Sequence, residues 1–282
     1  MKRIVSIWLA LAVLLSMASC GGQGAKQDKK WSAYKHFYTT SIQYTGENDS
    51  TREYLEIAER SKQLLALLEK DHGAFVCDAY NYQSIDDDGT PLYTMNGMSY
   101  PQEIDPNGQS IRVSKGYFQY NPIETADGSD LIDRIIDDDL TLNILVPEKY
   151  RDREEQIIEA YRERFYFEKV QAENDYNEMA GIDERLEIPK ESLKINMILV
   201  KDGQSYFTFR SDCAADTDNW IVDPVVQIYT SNIHCNYAHS FLTQWTYFYS
   251  EQDSAEEAYQ EIKADVEACG AGESLREVFP IY

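Results

Sequence analysis

Cys20 is the side chain whose surroundings point most directly to chemistry. Lys2 and Arg3 give the chain a positive start, residues 4–15 form a short apolar run, and Ser16-Met17-Ala18-Ser19 brings small side chains up to the thiol. That is the layout of a secretory signal, and a cysteine at the cleavage point makes it a bacterial lipobox. Residues 1–19 are then the signal peptide, and the thiol of Cys20 carries the lipid. Met17 fits the small-residue peptidase site less well than Leu would. An ordinary secretory signal and a short uncleaved anchor are the competing readings. The apolar run falls short of the roughly 20 residues that a membrane-spanning helix needs.

The other chemistry-bearing residues form no recognisable site. Cys77, Cys213, Cys235 and Cys269 are an even set in a chain read as exported, so two disulfides are expected. Four cysteines allow three pairings. Cys213 and Cys235 flank one strand segment and are the favoured pair, leaving Cys77 for Cys269; four buried free thiols are the alternative. No C-x-x-C is present, which argues against a redox or zinc-ribbon role. His36, His72, His234 and His239 match no H-E-x-x-H spacing, and His72 falls beside an expected helix C-terminus, where a positive charge is favourable. Asp86-Asp87-Asp88-Gly89 fails an EF-hand frame, because Ser84 would stand first and Met95 twelfth. Asp212, Asp216 and Asp218, with Asp223 nearby, have the oxygen ligands for a divalent ion, although a polar loop explains them as well. No G-x-S-x-G, phosphate loop or dinucleotide glycine motif occurs. No residue is therefore assigned a catalytic, cofactor-binding or metal-binding role, and the expectation is a protein that is not an enzyme.

These residues belong to a chain of 282, which is 43% hydrophobic and 12% aromatic and so has the composition of a folded domain rather than a disordered chain. With 26 Lys+Arg against 49 Asp+Glu, the net charge is −23, which makes nucleic acid and anionic lipid surfaces poor partners and a cationic peptide a suitable one. Residues 20–33 read as a flexible tether. Residues 34–282 read as an extracytoplasmic α+β domain with a subdomain break near 125–140. Its expected architecture is mixed sheets with β-α-β units and hairpins, and helices packed on one face.

The pattern supplies the elements. A strand is expected over 34–44, then a helix opened by the capping box Ser50/Glu53 and stopped at Gly73, then a strand over 74–82. Turn signals fill 86–110, and 111–120 reads as extended. A buried strand over 140–146 leads into a helix at Pro147 with Tyr150, Ile157, Ile158, Tyr161 and Phe165 inward. Residues 173–187 read as a surface excursion. Asp202-Gly203 marks a hairpin over 195–209, and 220–229 a strand broken at Asp223-Pro224. Residues 241–250 read as extended. Ser254/Glu257 cap a last helix that ends at Gly270, before a short closing strand. The 21 tyrosines suit a peptide- or glycan-binding surface, though most fall in strands.

Several stretches share one pattern: Lys115-Gly116-Tyr117 through Asn121-Pro122-Ile123, Leu142 through Tyr150, Asp202 through Phe209, and Asp223-Pro224-Val225-Val226. With the closing helix and strand, this resembles the extracellular domain of bacteriocin-associated integral membrane proteins, a family of ABC-transporter permeases. The resemblance covers residues 34–282. It implies an extracellular domain framed by membrane helices, whereas here a lipobox stands where the leading helix would be. What it implies for this chain is a lipoprotein held by the lipid on Cys20 at the outer face of the cytoplasmic membrane, or at the outer membrane in a diderm source. Its implied role is accessory to a separately encoded permease in peptide export or immunity, with no cofactor. The alternative is a lipoprotein that captures a cationic peptide or glycan.

Overall fold

A computed structural model describes residues 31, 34–46, 50–83 and 99–282. The signal, Cys20, most of the tether and the 86–89 acidic cluster lie outside the described residues. Residues 36–281 form one compact unit, while Trp31, Tyr34, Lys35 and Tyr282 belong to a separate one, in which the rings of Trp31 and Tyr34 meet edge-on at 6.4 Å.

The opening of the chain folds as its pattern dictates. Strand β1 (Phe37–Thr40) is followed by helix α1 (Thr51–Asp71) and strand β2 (Phe75–Asp78). Ser50 caps α1 by accepting the Glu53 N–H, an interaction that stabilises a helix by about 1 kcal/mol. Ile57, Ala58, Ser61, Leu64, Leu65 and Leu68 form its buried stripe. Gly73 takes φ +62°, the left-handed conformation that ends the helix. The end of the chain repeats the plan. Strand β9 (Thr246–Tyr249), helix α6 (Ala255–Ala268) capped by Ser254, and strand β10 (Val278–Pro280) follow one another, with Gly270 at φ +67°.

These two units interlock. The order β10-β1-β9-β2 is antiparallel throughout, so β9 lies between the parallel strands β1 and β2, and β1 lies between β9 and β10. Two split β-α-β units sharing a sheet are the ferredoxin-like arrangement. Here it is interrupted between its second and third strands by residues 79–245.

The insertion extends the same sheet. Strand β3 (Ser110–Ser114) pairs antiparallel with β2, and the order continues through β8 (Val225–Tyr229) and β4 (Thr141–Pro147) to β5 (Lys194–Val200), giving eight strands in all. β4 and β5 are parallel neighbours joined through helix α3 (Glu154–Tyr166) and helix α4 (Ala172–Met179). The single turn α2 (Leu131–Arg134) precedes β4. Helix α5 (Cys235–Gln244) connects β8 to β9. Side chains alternate across the strands. Val76, Asp78 and Arg112 face the helices, whereas Phe75 and Cys77 face a small sheet made of β6 (Ser205–Phe207) and β7 (Trp220–Val222).

The fold is α+β with a mixed sheet, as expected, but four local expectations are corrected. Residues 195–209 are not a hairpin: β5 pairs with β4, and β6 pairs with β7 in the second sheet. Asp223, itself at φ 54°, accepts the N–H groups of Gly203 (2.7 Å) and Gln204 (3.1 Å), so it holds that turn as a switch between sheets. Residues 241–250 are helical in their first part, because Ala238, His239, Phe241 and Leu242 bury one side of α5. Residues 173–187 begin inside α4 rather than as a surface excursion, and Ala172 and Asn177 are buried there. No break falls at 125–140, where Thr125 bridges to Val200 and the chain stays within the one unit. The break at Asp223-Pro224, by contrast, does separate two strands, β7 and β8, that lie in different sheets.

Candidate functional site

Between α3 and α4 the helix widens into a π turn, Phe167–Gln171, which turns Glu168, Lys169 and Val170 inward together. π turns are often found at functional sites, so the environment of Glu168 decides what this one does. The Glu168 side chain is 0% exposed. It accepts Arg112 Nη2 at 2.6 and 2.7 Å and Arg164 Nε at 2.5 Å, while Arg112 also donates to Gln227 Oε1 at 2.8 Å. Burial alone would raise the Glu168 pKa, but the two guanidinium groups outweigh it and hold the carboxyl below its ordinary range. Both oxygens are occupied by donors, so this network ties the helix layer to the sheet rather than presenting a reactive group.

A surface groove lies over the same helix layer. This groove, of about 490 Å3, is lined by Arg52, Leu55, Glu56, Glu59 and Arg60 of α1, Glu173 and Asn177 of α4, Ile182 beyond it, and His234 and Cys235 at the start of α5. Aromatic rings fix these three helices together. Tyr54 stacks on Tyr176 at 5.7 Å, and Tyr176 on His234 at 4.7 Å and 14°. Behind them, His239 Nδ1 lies 2.9 Å from the buried Ser61 hydroxyl, and burial lowers its pKa to about 4.

Cys235 and His234 have the residue types of a nucleophile and a base, with Sγ 3.8 Å from Nε2. Their environment opposes that role. His234 Nδ1 accepts the Asn236 N–H (3.2 Å) as the cap of α5, and Asn236 Oδ1 lies 2.6 Å from the same nitrogen. Nε2 lies as far from Glu173 Oε2, 3.8 Å, as it does from the thiol. Burial, then the charge of Glu59, pushes the Cys235 thiol far above its ordinary value, whereas a reactive cysteine needs a lowered one.

The remaining sequence candidates are accounted for individually. Cys77, Cys213, Cys235 and Cys269 are all free and buried, so neither expected disulfide is formed. The sheet separates both pairs. Cys77 and Cys213 pack on the β6–β7 side, while Cys235 begins α5 and Cys269 caps α6 in the helix layer. In the 208–219 loop, Asp212 is taken by Arg210 at 2.5 and 2.8 Å. Asn219 Nδ2 donates to three backbone carbonyls, those of Arg210, Ser211 and Cys213, at 2.8–3.1 Å, so an amide fills the position a cation would take. Among the described residues, no three His, Cys, Asp or Glu side chains are placed to hold a metal ion. Asp223 also receives Lys149 Nζ at 2.8 Å. His72 caps α1 and reaches Asp265 at 2.7 Å, and His36 Nδ1 lies 3.3 Å from the Gln252 carbonyl.

The sequence reading did not single out Glu59, Glu173, Tyr54 or Tyr176. One signal was available: Arg52, Glu56, Glu59 and Arg60 recur at helical spacing around Leu55, opposite the buried stripe of α1. Comparison with family models, characterised proteins and solved structures returned no match. The permease-family resemblance therefore rests on the quoted motifs alone.

Proposed function

We propose that the protein is a non-catalytic, lipid-anchored extracytoplasmic docking module, which engages a partner at the membrane surface through the α1–α4–α5 groove. The observation that carries this reading is the groove itself, an open space of about 490 Å3 over three helices joined by stacked rings. The lipobox at Cys20 supports the anchor, because a lipidated thiol would keep the domain at one surface while leaving it free to move laterally. Among the described residues, no helix is long and apolar enough to cross a membrane.

The resemblance of the sequence motifs to bacteriocin-associated permeases favours a more specific form of the reading. The partner would then be a permease of a peptide export or immunity system, and the chain would supply it with an extracellular domain. Affinity recovery of the tagged protein from detergent-solubilised membranes tests this. A co-purifying transporter subunit is the expected result, and recovery of the lipoprotein with no membrane partner would count against it.

A further inference from the structure

The groove has a floor and a rim of different chemistry. Leu55 and Ile182 make the floor apolar, and the carboxylates of Glu56, Glu59 and Glu173 stand around it. Among the described residues, none of these carboxylates is in an ion pair with a Lys or Arg side chain; Glu173 lies 3.8 Å from His234 and accepts Asn177 Nδ2 at 3.3 Å. The nearby arginines are drawn elsewhere. Arg52 donates to the Ala180 carbonyl at 3.2 Å, and the Arg60 side chain leans toward Gly270 at the end of α6. The rim therefore carries three carboxylates and two guanidinium groups around an apolar centre, a net negative charge.

From this geometry we infer that the groove accepts a basic amphipathic helix of a partner protein, with its apolar stripe on Leu55 and Ile182 and its Lys or Arg side chains against Glu56, Glu59 and Glu173. The inference rests on the docking reading above and adds the chemistry of the partner. A trough bounded by helices is the shape a further amphipathic helix fills. Glu56 and Glu59 are three residues apart on α1, hence neighbours on its surface, and match the i, i+3 or i, i+4 spacing of basic residues on a docked helix. Glu56 and Glu59, which form no ion pair among the described residues, gain basic partners on binding. A chain of net charge −23 also steers a cationic segment toward itself and repels an anionic one.

The test uses the full chain released by Cys20→Ser and a fluorescent Lys/Leu amphipathic peptide of about four helical turns. Fluorescence anisotropy should show saturable binding that weakens about tenfold between roughly 50 and 500 mM salt. Glu59→Gln with Glu173→Gln should weaken it about tenfold, while the exposed pair Glu273→Gln with Glu277→Gln should leave it unchanged. A Glu/Leu peptide of the same length should not bind. Absence of binding by the basic peptide, equal loss in the two double variants, or equal binding of the acidic peptide would each overturn the inference. The docking reading fails separately, on the absence of any groove-dependent partner in cells. A partner captured at the groove without a basic helix would leave that reading intact and remove this one.

Discussion

Replacing Glu168 by Gln tests the buried network that holds the helix layer, and with it the groove, on the sheet. The substitution keeps the shape and one acceptor oxygen but removes the carboxylate to which both Arg112 and Arg164 side chains donate. Arg112 is 7% exposed and Glu168 0%, so little water can replace the lost charge. Breaking a buried pair on one side costs about 3–5 kcal/mol, because the remaining charge stays buried and uncompensated. The Asp78 carboxylate remains near both guanidinium groups and Arg164 is 26% exposed, so the lower part of that range is expected. Against a typical total of about 5–15 kcal/mol, this is a large fraction of the stability. In urea unfolding followed by tryptophan fluorescence at neutral pH, the midpoint should fall by about 1 M for a slope near 3 kcal/mol/M. Replacing the set together, with Glu168→Leu, Arg112→Met, Arg164→Met and Gln227→Leu, should recover most of the loss, since no guanidinium or amide is then stranded. A midpoint shift below about 0.3 M in Glu168→Gln would refute the reasoning.

Three further outcomes follow from individual groups. His239 has its pKa lowered by burial to about 4. The unfolded chain therefore binds the extra proton first, and stability should fall by up to about 3 kcal/mol as the pH drops from roughly 6.5 to 4; thermal melts of His239→Gln should lose that slope, and an unchanged slope would assign it elsewhere. Glu69 works in the opposite sense, its pKa raised to about 7 by burial and its Oε1 buried without a partner. Stability should decline as the pH rises from about 4.5 through 7, so Glu69→Gln should stabilise the protein by about 1–3 kcal/mol more at pH near 8 than near 5. Equal effects at both pH values would contradict this. Finally, Cys20→Ser should move the protein from the membrane to the soluble fraction, and retention of the variant on membranes would reject the lipid anchor.

The parts of the fold that were legible in the sequence are those where a local signal coincides with a tertiary requirement. Ser50 and Ser254 cap the two helices they were expected to cap, Gly73 and Gly270 end them with positive φ, and the paired β-α-β units at the two ends of the chain are present. Pairing across the sheet was not legible. β9 lies beside β1 and β2 although some two hundred residues separate it from β1, and no local pattern encodes that contact. The Asp202-Gly203 signal did mark a turn, but Asp223, twenty residues on, decides that the chain leaves the sheet there. Residues 241–244 looked like a strand because they run straight into the aromatic strand residues of β9, and only burial on one helical side separates the two. The groove escaped for a related reason. Its carboxylates come from α1 and α4, and in a chain this acidic their sequence positions carry no distinction until Tyr54, Tyr176 and His234 stack and bring the helices together.

The docking claim is tested most directly by photo-crosslinking in cells that produce the membrane-anchored protein. A photoreactive side chain placed at Glu56, on the groove rim, should yield a discrete adduct with a membrane protein. The same group at Ile132, 45% exposed and away from the groove, should not. No adduct at position 56, or the same adducts from both positions, would contradict a groove built to receive a partner.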